Sequence, residues 1–189
     1  MDEHENPDAP AGKSRKYAQR ERERRFLIAG LPPGEIVRTQ VLTDRYIDGT
    51  RIRLRRPDET SASGSSTTYK LTQKVPAADG SPGLITTFYV NEAEYARLSE
   101  LPARVLSKTR YSIPPFGVDV FGGELAGLFI AEVEFDSEEE LRSFATPTFA
   151  IAEVTHDPRF TGARWTTTRR AELLELLASF GLRLERGRP

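Results

Sequence analysis

Charged residues recur at every second position in several stretches of this sequence. Arg51, Arg53 and Arg55 alternate with Ile52 and Leu54. Residues two apart share a face of a β-strand, so this stretch would carry one charged face and one apolar face. The same spacing relates Glu21, Glu23 and Arg25; Lys70, Thr72 and Lys74; Lys108 and Arg110; and Glu132 and Glu134, while Asp119 stands between Val118 and Val120.

The charges are separated by sign between these stretches, which limits the chemistry that they can perform. Arginines and lysines at this density repel one another unless they face a polyanion, and guanidinium groups match phosphate oxygens in bidentate pairs. The glutamates would repel a phosphate chain unless hard cations such as Mg²⁺ or Mn²⁺ lay between them. A face that carries both sets is therefore suited to a metal–polyphosphate complex.

The alternation leaves two interpretations open. The charges could face water across a half-exposed sheet, which is the ordinary reason for such a pattern. They could instead line the interior of a barrel whose apolar exterior is covered by helices. The separation of the signs and the repetition of arginine without an interleaved acid argue for the interior.

Composition excludes several classes of function. The chain has 189 residues, enough for one domain with a sizeable core, and a formal net charge of −1, so no overall field attracts nucleic acid or anionic lipid. Without cysteine and with only His4 and His156, it has no zinc–thiolate site and little scope for a Ser-His-Asp triad. Membrane-length apolar segments and a signal peptide are both missing. We expect a cytoplasmic protein with no nucleic-acid or membrane partner, and its oligomeric state stays open.

The predicted elements are mainly strands. Residues 1–18 are expected to form a disordered tail, residues 19–189 a single domain, and Pro57–Thr68 a flexible Gly/Ser-rich loop. Short strands between turn signals predict an all-β barrel or sandwich over Tyr17–Ala29, Ile36–Ile47, Thr50–Arg56, Thr68–Val75, Leu84–Val90, Ala103–Ile113, Phe116–Gly122 and Leu125–Phe135.

Three helices are predicted between and after these strands. Capping-box patterns precede two of them, at Asn91 with Glu94 and at Ser137 with Glu140. The third, Thr166–Gly181, places Leu173, Leu174, Leu177 and Phe180 on one face. We expect that leucine face to pack against the exterior of the barrel.

The motifs that carry the charges occur in an order that resembles the CYTH superfamily, the triphosphate tunnel metalloenzymes. ERERR at residues 21–25 is similar to the ExExK of the family's first strand. RIRLR, YKLTQK, KTRY, VDVFGG, LAGLFIAEVEF and AEVTHDPRF follow in family order, so that the likeness covers residues 19–160. The resemblance implies an α+β, mainly β fold, in which an eight-stranded antiparallel β-barrel forms the tunnel and helices lie outside it.

The resemblance also implies roles for individual residues. The divalent metal, Mg²⁺ or Mn²⁺, would be carried by Glu21, Glu23, Glu132 and Glu134 with help from Asp119. The triphosphate would be bound by Arg25, Arg51, Arg53, Lys74, Lys108 and Arg110, with Arg159 reaching it from the C-terminal segment. The residues expected at the chemistry itself are Glu21, Glu23, Arg25 and Lys74. The implied reaction is metal-dependent hydrolysis of a small triphosphate, with inorganic tripolyphosphate as the expected substrate.

Two departures from the family pattern bear on that reaction. Arg25 stands where the motif has lysine, and because arginine keeps its proton it cannot act as a general base. The fifth strand, LITTFYV, lacks the glutamates that many relatives carry there. Three alternatives remain: a class IV adenylate cyclase, a thiamine triphosphatase, and a non-catalytic binder of polyphosphate or nucleotide.

Overall fold

The computed structural model describes residues 17–61, 64–75 and 83–184. The predicted disordered tail, residues 1–18, therefore lies almost wholly outside the described residues. Within the described part of the chain, no helix is long and apolar enough to cross a membrane.

Eleven antiparallel strands form one sheet in the described part of the chain. The sheet order is β1-β7-β6-β4-β3-β8-β9-β10-β2-β11, and β5 pairs with β4 outside this order. The strands are β1 Gln19–Arg20, β2 Glu23–Ile28, β3 Arg38–Ile47, β4 Ile52–Ser61, β5 Gly64–Thr67, β6 Tyr69–Val75, β7 Leu84–Val90, β8 Ala103–Ile113, β9 Phe116–Phe121, β10 Phe129–Glu134 and β11 Ala150–Glu153. The expectation of a mainly β fold with helices is confirmed.

The pairing order has two ends, so the eight-stranded closed barrel is not confirmed. One stretch of chain nevertheless bonds to strands near both ends of that order. β1 pairs with β7, and Glu21 N donates to Gly83 O at 3.0 Å. β2 follows at once and pairs with β10 and β11, and Phe135 N donates to Arg22 O at 2.9 Å. Residues 19–28 therefore connect β7 to β10.

The hairpin of β3 and β4 sets the register of the charged strands. Asp48-Gly49 forms its turn as predicted, and Gly49 adopts a φ of +69°, which favours glycine. The prediction of a loose loop over Pro57–Thr68 is wrong. β4 continues to Ser61 and pairs with β5, because the backbone groups of polar residues form ladder hydrogen bonds as well as those of apolar residues do.

Short helices follow the strands. α1 (Glu92–Ser99) and α2 (Glu138–Ser143) begin at the two predicted capping boxes, which are confirmed. The third predicted helix, Thr166–Gly181, corresponds to the shorter α4 (Arg170–Ser179), and the unpredicted one-turn helix α3 (Gly162–Trp165) precedes it. Short 3₁₀ helices lie at Gly123–Leu125 and Pro158–Phe160.

Two apolar clusters lie on opposite faces of the sheet. The first contains Phe26, Ile28, Val118 and Val133, and the chain after α2 packs on it through phenylalanines. The alternation of β2 puts Phe26 on the face opposite to Glu23 and Arg25. This cluster is therefore the apolar back of the charged strands.

The second cluster occupies the charged face itself, at one end. Its strand members, Leu27, Leu106, Phe121 and Ile130, each lie two residues from a charged position. The face therefore changes from charged to apolar along its strands. At its apolar end, Trp165 of α3 and Leu173 and Leu177 of α4 pack against it. The prediction that the leucine face covers the exterior is wrong for this reason.

The burial of α4 generates a stability prediction. Leu177 is fully buried in the second cluster, whereas Leu174 is only half-buried. We expect Leu177→Ala to lower the free energy of unfolding by about 2–5 kcal/mol, because it leaves a cavity. Urea unfolding measures the change, with Leu174→Ala as the matched control. Equal losses in the two variants would show that α4 does not pack as described.

Candidate active site

Strand register brings the charged positions of neighbouring strands side by side. Arg55 pairs with Asp44 across β4 and β3, and Arg110 pairs with Asp119 across β8 and β9. Glu132 of β10 pairs with Arg25 of β2. Partners directly across antiparallel strands share a face, so these side chains form one continuous charged surface. We call it the charged face.

A buried aspartate holds the arginines of β4. Asp44 is fully buried, and its carboxylate accepts hydrogen bonds from Arg55 Nε at 2.6 Å and Nη2 at 2.7 Å. Arg53 Nε lies 3.8 Å from the same carboxylate. Burial alone would raise the pKa of Asp44, but the hydrogen bonds and charge of Arg55, with Arg53 and Lys108 nearby, lower this pKa to about 2. Asp44 is therefore an anion over the whole neutral range.

A second buried aspartate has the same function on β9. Asp119 accepts from Arg110 Nε and Nη2, both at 2.7 Å, and from Lys108 Nζ. Burial lowers the pKa of Lys108, and the charges of Asp119 and Glu132 offset only part of this effect. Both oxygens of Asp119 are thus occupied by cations, which places it with the basic residues.

The carboxylates of β2 and β10 form the acidic end of the face. Burial, followed by repulsion from Glu132 and Glu21, raises the pKa of Glu23 to about 7. Burial alone would raise the pKa of Glu132 as well, but Arg110 and Lys108 lower it below its ordinary range. Glu21 accepts a hydrogen bond from Lys74 Nζ, which brings that lysine to the acidic end.

Arg25 is fixed to the C-terminal part of the chain. Its Nη1 donates to Phe160 O at 2.7 Å and its Nη2 to Thr155 O at 2.5 Å. Its Nε lies 3.4 Å from Glu23 Oε1. The guanidinium therefore ties the segment after β11 to the acidic end, beside the carboxylate whose pKa is raised.

Two cavities open beside these residues and share one of them. The basic cavity has a volume of about 340 Å³, and its charged lining is Arg38, Arg55, Lys70, Arg110 and Glu134. The acidic cavity has a volume of about 470 Å³, and its charged lining is Glu21, Glu23, Glu134 and Asp136 with Arg20 and Arg22. Glu134 lines both cavities, so a mainly basic lining and a mainly acidic lining adjoin at this side chain.

Two predicted ligand residues are not brought to this surface. Arg51 is exposed before β4 begins. Arg159 is also exposed, and it pairs with Asp157 through Nη2 at 2.6 Å and stacks on the ring of Phe180. The structure brings together Glu21, Glu23, Arg25, Arg53, Lys74, Lys108, Arg110, Asp119, Glu132 and Glu134 on or beside the charged face.

Asp44 and Arg55 were not among the site residues expected from the sequence. A signal existed, since the Asp48-Gly49 turn places Asp44 across from the β4 arginines and in phase with Tyr46. Tyr46 packs against the second apolar cluster. Burial, with the charge of Asp44, raises the pKa of Tyr46 to about 12.

No preassembled metal site occurs among residues 17–61, 64–75 and 83–184. Within them, no three His, Cys, Asp or Glu side chains are close enough to hold an ion together. The reason is pairing, because Glu21 contacts Lys74, Glu23 contacts Arg25, and Glu132 contacts Arg110.

Comparison with known proteins gives one clear relative. No family model matches the sequence. The inorganic triphosphatase of Nitrosomonas europaea is 35% identical over 151 residues, which cover 73% of this chain and 91% of that protein. A crystal structure of the inorganic triphosphatase NE1496 superposes with a TM-score of 0.51 at 26% identity, covering 78% of this chain and 95% of that one. A crystal structure of the hypothetical protein NE1496 also has a TM-score of 0.51, at 28% identity, covering 79% and 99%.

Acid unfolding should report the Asp44–Arg55 pair. The pKa of Asp44 is lowered to about 2 in the fold, against about 3.9 in an unfolded chain. Its contribution to stability is therefore complete above about pH 4 and is lost as the pH falls through about 2. We expect about 2 kcal/mol of unfolding free energy to disappear over this interval in urea titrations.

The Asp44→Asn variant should lack this part of the pH dependence. Asp58→Asn is the control, because it removes a partly exposed carboxylate paired with Arg56 on the other face of β4. It should keep the wild-type slope. A wild-type slope in Asp44→Asn as well would contradict the assignment.

Proposed function

Because the chain belongs to the family of the CYTH-like inorganic triphosphatases, we propose that it hydrolyses inorganic tripolyphosphate at the charged face. The observation that carries the proposal is the junction of the basic and acidic cavities at Glu134. Water would attack the terminal phosphorus, and orthophosphate and pyrophosphate would leave. A phosphate chain and the cations that accompany it need adjoining sites of opposite sign, which this junction supplies.

We further propose that the sheet curls into the tunnel expected from the family resemblance. Residues 19–28 support this closure because they bond to both β7 and β10. The charged face would then be the concave one, and α4, packed against the apolar end of that same face, would close one end of the tunnel. The basic cavity would be the entrance for the anion.

The basic residues would bind the phosphate chain through preoriented donors. Arg55 and Arg110 line the basic cavity, and each is held by a buried aspartate through two hydrogen bonds. A guanidinium fixed along one edge presents its remaining N–H groups in a defined direction. Such fixed donors stabilise the charge that develops on the transferred and leaving oxygens without reorganising during the reaction.

Glu21, Glu23, Glu132 and Glu134 would hold the divalent metal. The donor set fits Mg²⁺ or Mn²⁺, since it consists only of carboxylate oxygens. Burial, and then repulsion from Glu132 and Glu21, raises the pKa of Glu23, and a bound cation would offset both effects. When bound, such an ion neutralises phosphate charge and lowers the pKa of a coordinated water. Pairs such as Glu132–Arg110 must open to free the ligands.

Proton transfer falls to a carboxylate in this arrangement. Arg25 cannot accept a proton, and the pKa of Tyr46, raised to about 12, keeps its hydroxyl protonated near neutrality. Glu23 has a pKa of about 7, the range in which a general base works best. We propose that Glu23 takes the proton of the attacking water while the other three glutamates hold the metal.

Three alternative functions share this surface. A class IV adenylate cyclase would form cyclic AMP from ATP, and a thiamine triphosphatase would prefer thiamine triphosphate. A polyphosphate or nucleotide binder would need no carboxylate cluster, so the four glutamates at the acidic end argue for catalysis.

A substrate panel tests the proposal directly. We expect phosphate release from tripolyphosphate with Mg²⁺ or Mn²⁺, slower release from ATP and thiamine triphosphate, and none with chelator, measured by a colorimetric phosphate assay and chromatography of nucleotides. Cyclic AMP as the main product of ATP would favour the cyclase. Binding of tripolyphosphate without release of phosphate would favour the binder.

Arg51 and Arg55 lie on either side of Arg53 in the sequence, but only one of them belongs to the site. Arg55 lines the basic cavity, whereas Arg51 is exposed outside β4. Loss of a charge-assisted phosphate contact costs about 1.5–3 kcal/mol, so Arg55→Gln should lower kcat/KM by about 10- to 100-fold. Arg51→Gln should stay within about twofold of the wild type. An equal loss in both variants would remove Arg55 from the site.

The shared position of Glu134 predicts a metal phenotype. Glu134→Gln should raise the Mg²⁺ concentration for half-maximal rate and lower the maximal rate by about tenfold or more, because one carboxylate ligand is lost. Glu100→Gln is the control, since Glu100 is exposed and pairs with Arg97, and neither residue lines a cavity. Full Mg²⁺-dependent activity in Glu134→Gln would contradict the metal assignment.

A further inference from the structure

Asp44 has no part in the chemistry proposed above, although it sits among the phosphate-binding residues. It is fully buried and lines neither cavity. Its partner Arg55 does line the basic cavity. Asp44 can therefore act on a bound anion only through Arg55 and through its own charge.

The hydrogen bonds show which N–H groups of Arg55 are occupied by Asp44 and so are not free to bind an anion in the cavity. Arg55 donates Nε and Nη2 to it in a bidentate pair, at 2.6 Å and 2.7 Å. That edge is the planar fork with which a guanidinium otherwise grips a phosphate. The buried Nε of Arg53 lies 3.8 Å from the same carboxylate and donates no hydrogen bond to any described residue. The Asp44 carboxylate therefore interacts electrostatically with two arginines of the charged face.

We infer that Asp44 is an internal counter-ion that competes with phosphate oxygens for Arg55, and so limits how tightly the basic cavity holds tripolyphosphate and the pyrophosphate product. The inference rests on the proposed function. It makes Asp44 a positioning residue, which sets affinity without touching the substrate.

Two opposing effects decide the sign of a substitution at Asp44. Freeing the Nε–Nη2 edge of Arg55 from Asp44 would tighten phosphate binding by a factor of roughly 10–100, the value of one charge-assisted hydrogen bond. Loss of the fixed orientation of Arg55 would weaken binding by a factor of only about 2–10. The gain in hydrogen bonding is the larger, so removing the charge of Asp44 should tighten the binding of anions.

Tight anion binding is a disadvantage in a hydrolase whose products resemble its substrate. Interactions that hold substrate and product equally lower KM without accelerating the chemical step, and they slow product release. A counter-ion placed behind Arg55 lowers this uniform affinity while leaving the other N–H groups of the guanidinium aimed at the cavity. Both results follow from the single Asp44–Arg55 pair.

The test is a titration of metal-free protein with tripolyphosphate and with pyrophosphate in a calorimeter. Asp44→Asn should bind both anions about tenfold more tightly than the wild type. In steady-state assays its KM should fall while kcat does not rise. A merely structural defect would lower kcat through a smaller active fraction and leave both KM and the dissociation constants unchanged.

Two further variants isolate the route through Arg55. Asp58→Asn removes the partner of Arg56 on the other face of the same strand, and should leave both dissociation constants within about twofold. In an Arg55→Gln background, Asp44→Asn should gain at most about threefold, because the competing partner is gone. A full tenfold gain without Arg55 would overturn the competition.

Asp44→Asn leaves a buried arginine without its counter-ion, which lowers stability. Circular dichroism and thermal unfolding establish that the variant is folded, and Asp44→Thr, a neutral residue suited to a strand, replaces it in the titrations if it is not. Unchanged or weaker anion binding by a folded variant would overturn the inference. A wild type that binds tripolyphosphate without hydrolysing it would overturn the proposed function and leave this inference standing.

Discussion

The structure depends on the neutralisation of buried charge within a single face of its sheet. Asp44 and Asp119 are both fully buried, and each holds basic side chains that would otherwise repel one another, Arg55 and Arg53 for Asp44 and Arg110 and Lys108 for Asp119. Removing one partner of such a pair costs about 3–5 kcal/mol, so the aspartates are as necessary to the fold as its apolar residues.

This constraint explains how hydrophobic packing is distributed. The apolar back of the strands is covered by the chain that follows α2, and α3 and α4 pack on the apolar end of the charged face. The buried charges elsewhere on the charged face are matched in pairs, such as Arg55 with Asp44 and Arg110 with Asp119. Hydrophobic packing therefore stabilises the back and one end of the sheet, whereas ion pairs stabilise the charged part of its other face.

Much of this could be predicted from the sequence, because period-two alternation identifies strands and turn residues identify hairpins. The bounds of β7 and β8, the two capping boxes and the sharing of one face by the charges are confirmed. The packing of α4 was wrong, since alternation does not reveal where along a strand a face becomes apolar. Asp44 was missed because the role of a single acidic residue in a strand can be inferred only when its cross-strand partner is known. The family resemblance placed Arg159 in the site, but in the structure its guanidinium forms a salt bridge with Asp157.

The stretch of residues 19–28 carries a consequence for folding kinetics. It pairs with β7, β10 and β11, whose residues lie between about 60 and 130 positions further along the chain. Pairings of such long range slow folding, because the entropy of loop closure must be overcome before the contacts form. During synthesis, β2 is made before β10. Its apolar residues Phe26, Leu27 and Ile28 therefore have no strand partner until β10 has been made. The segment that joins the sheet is therefore the one most exposed to aggregation while the protein is being made.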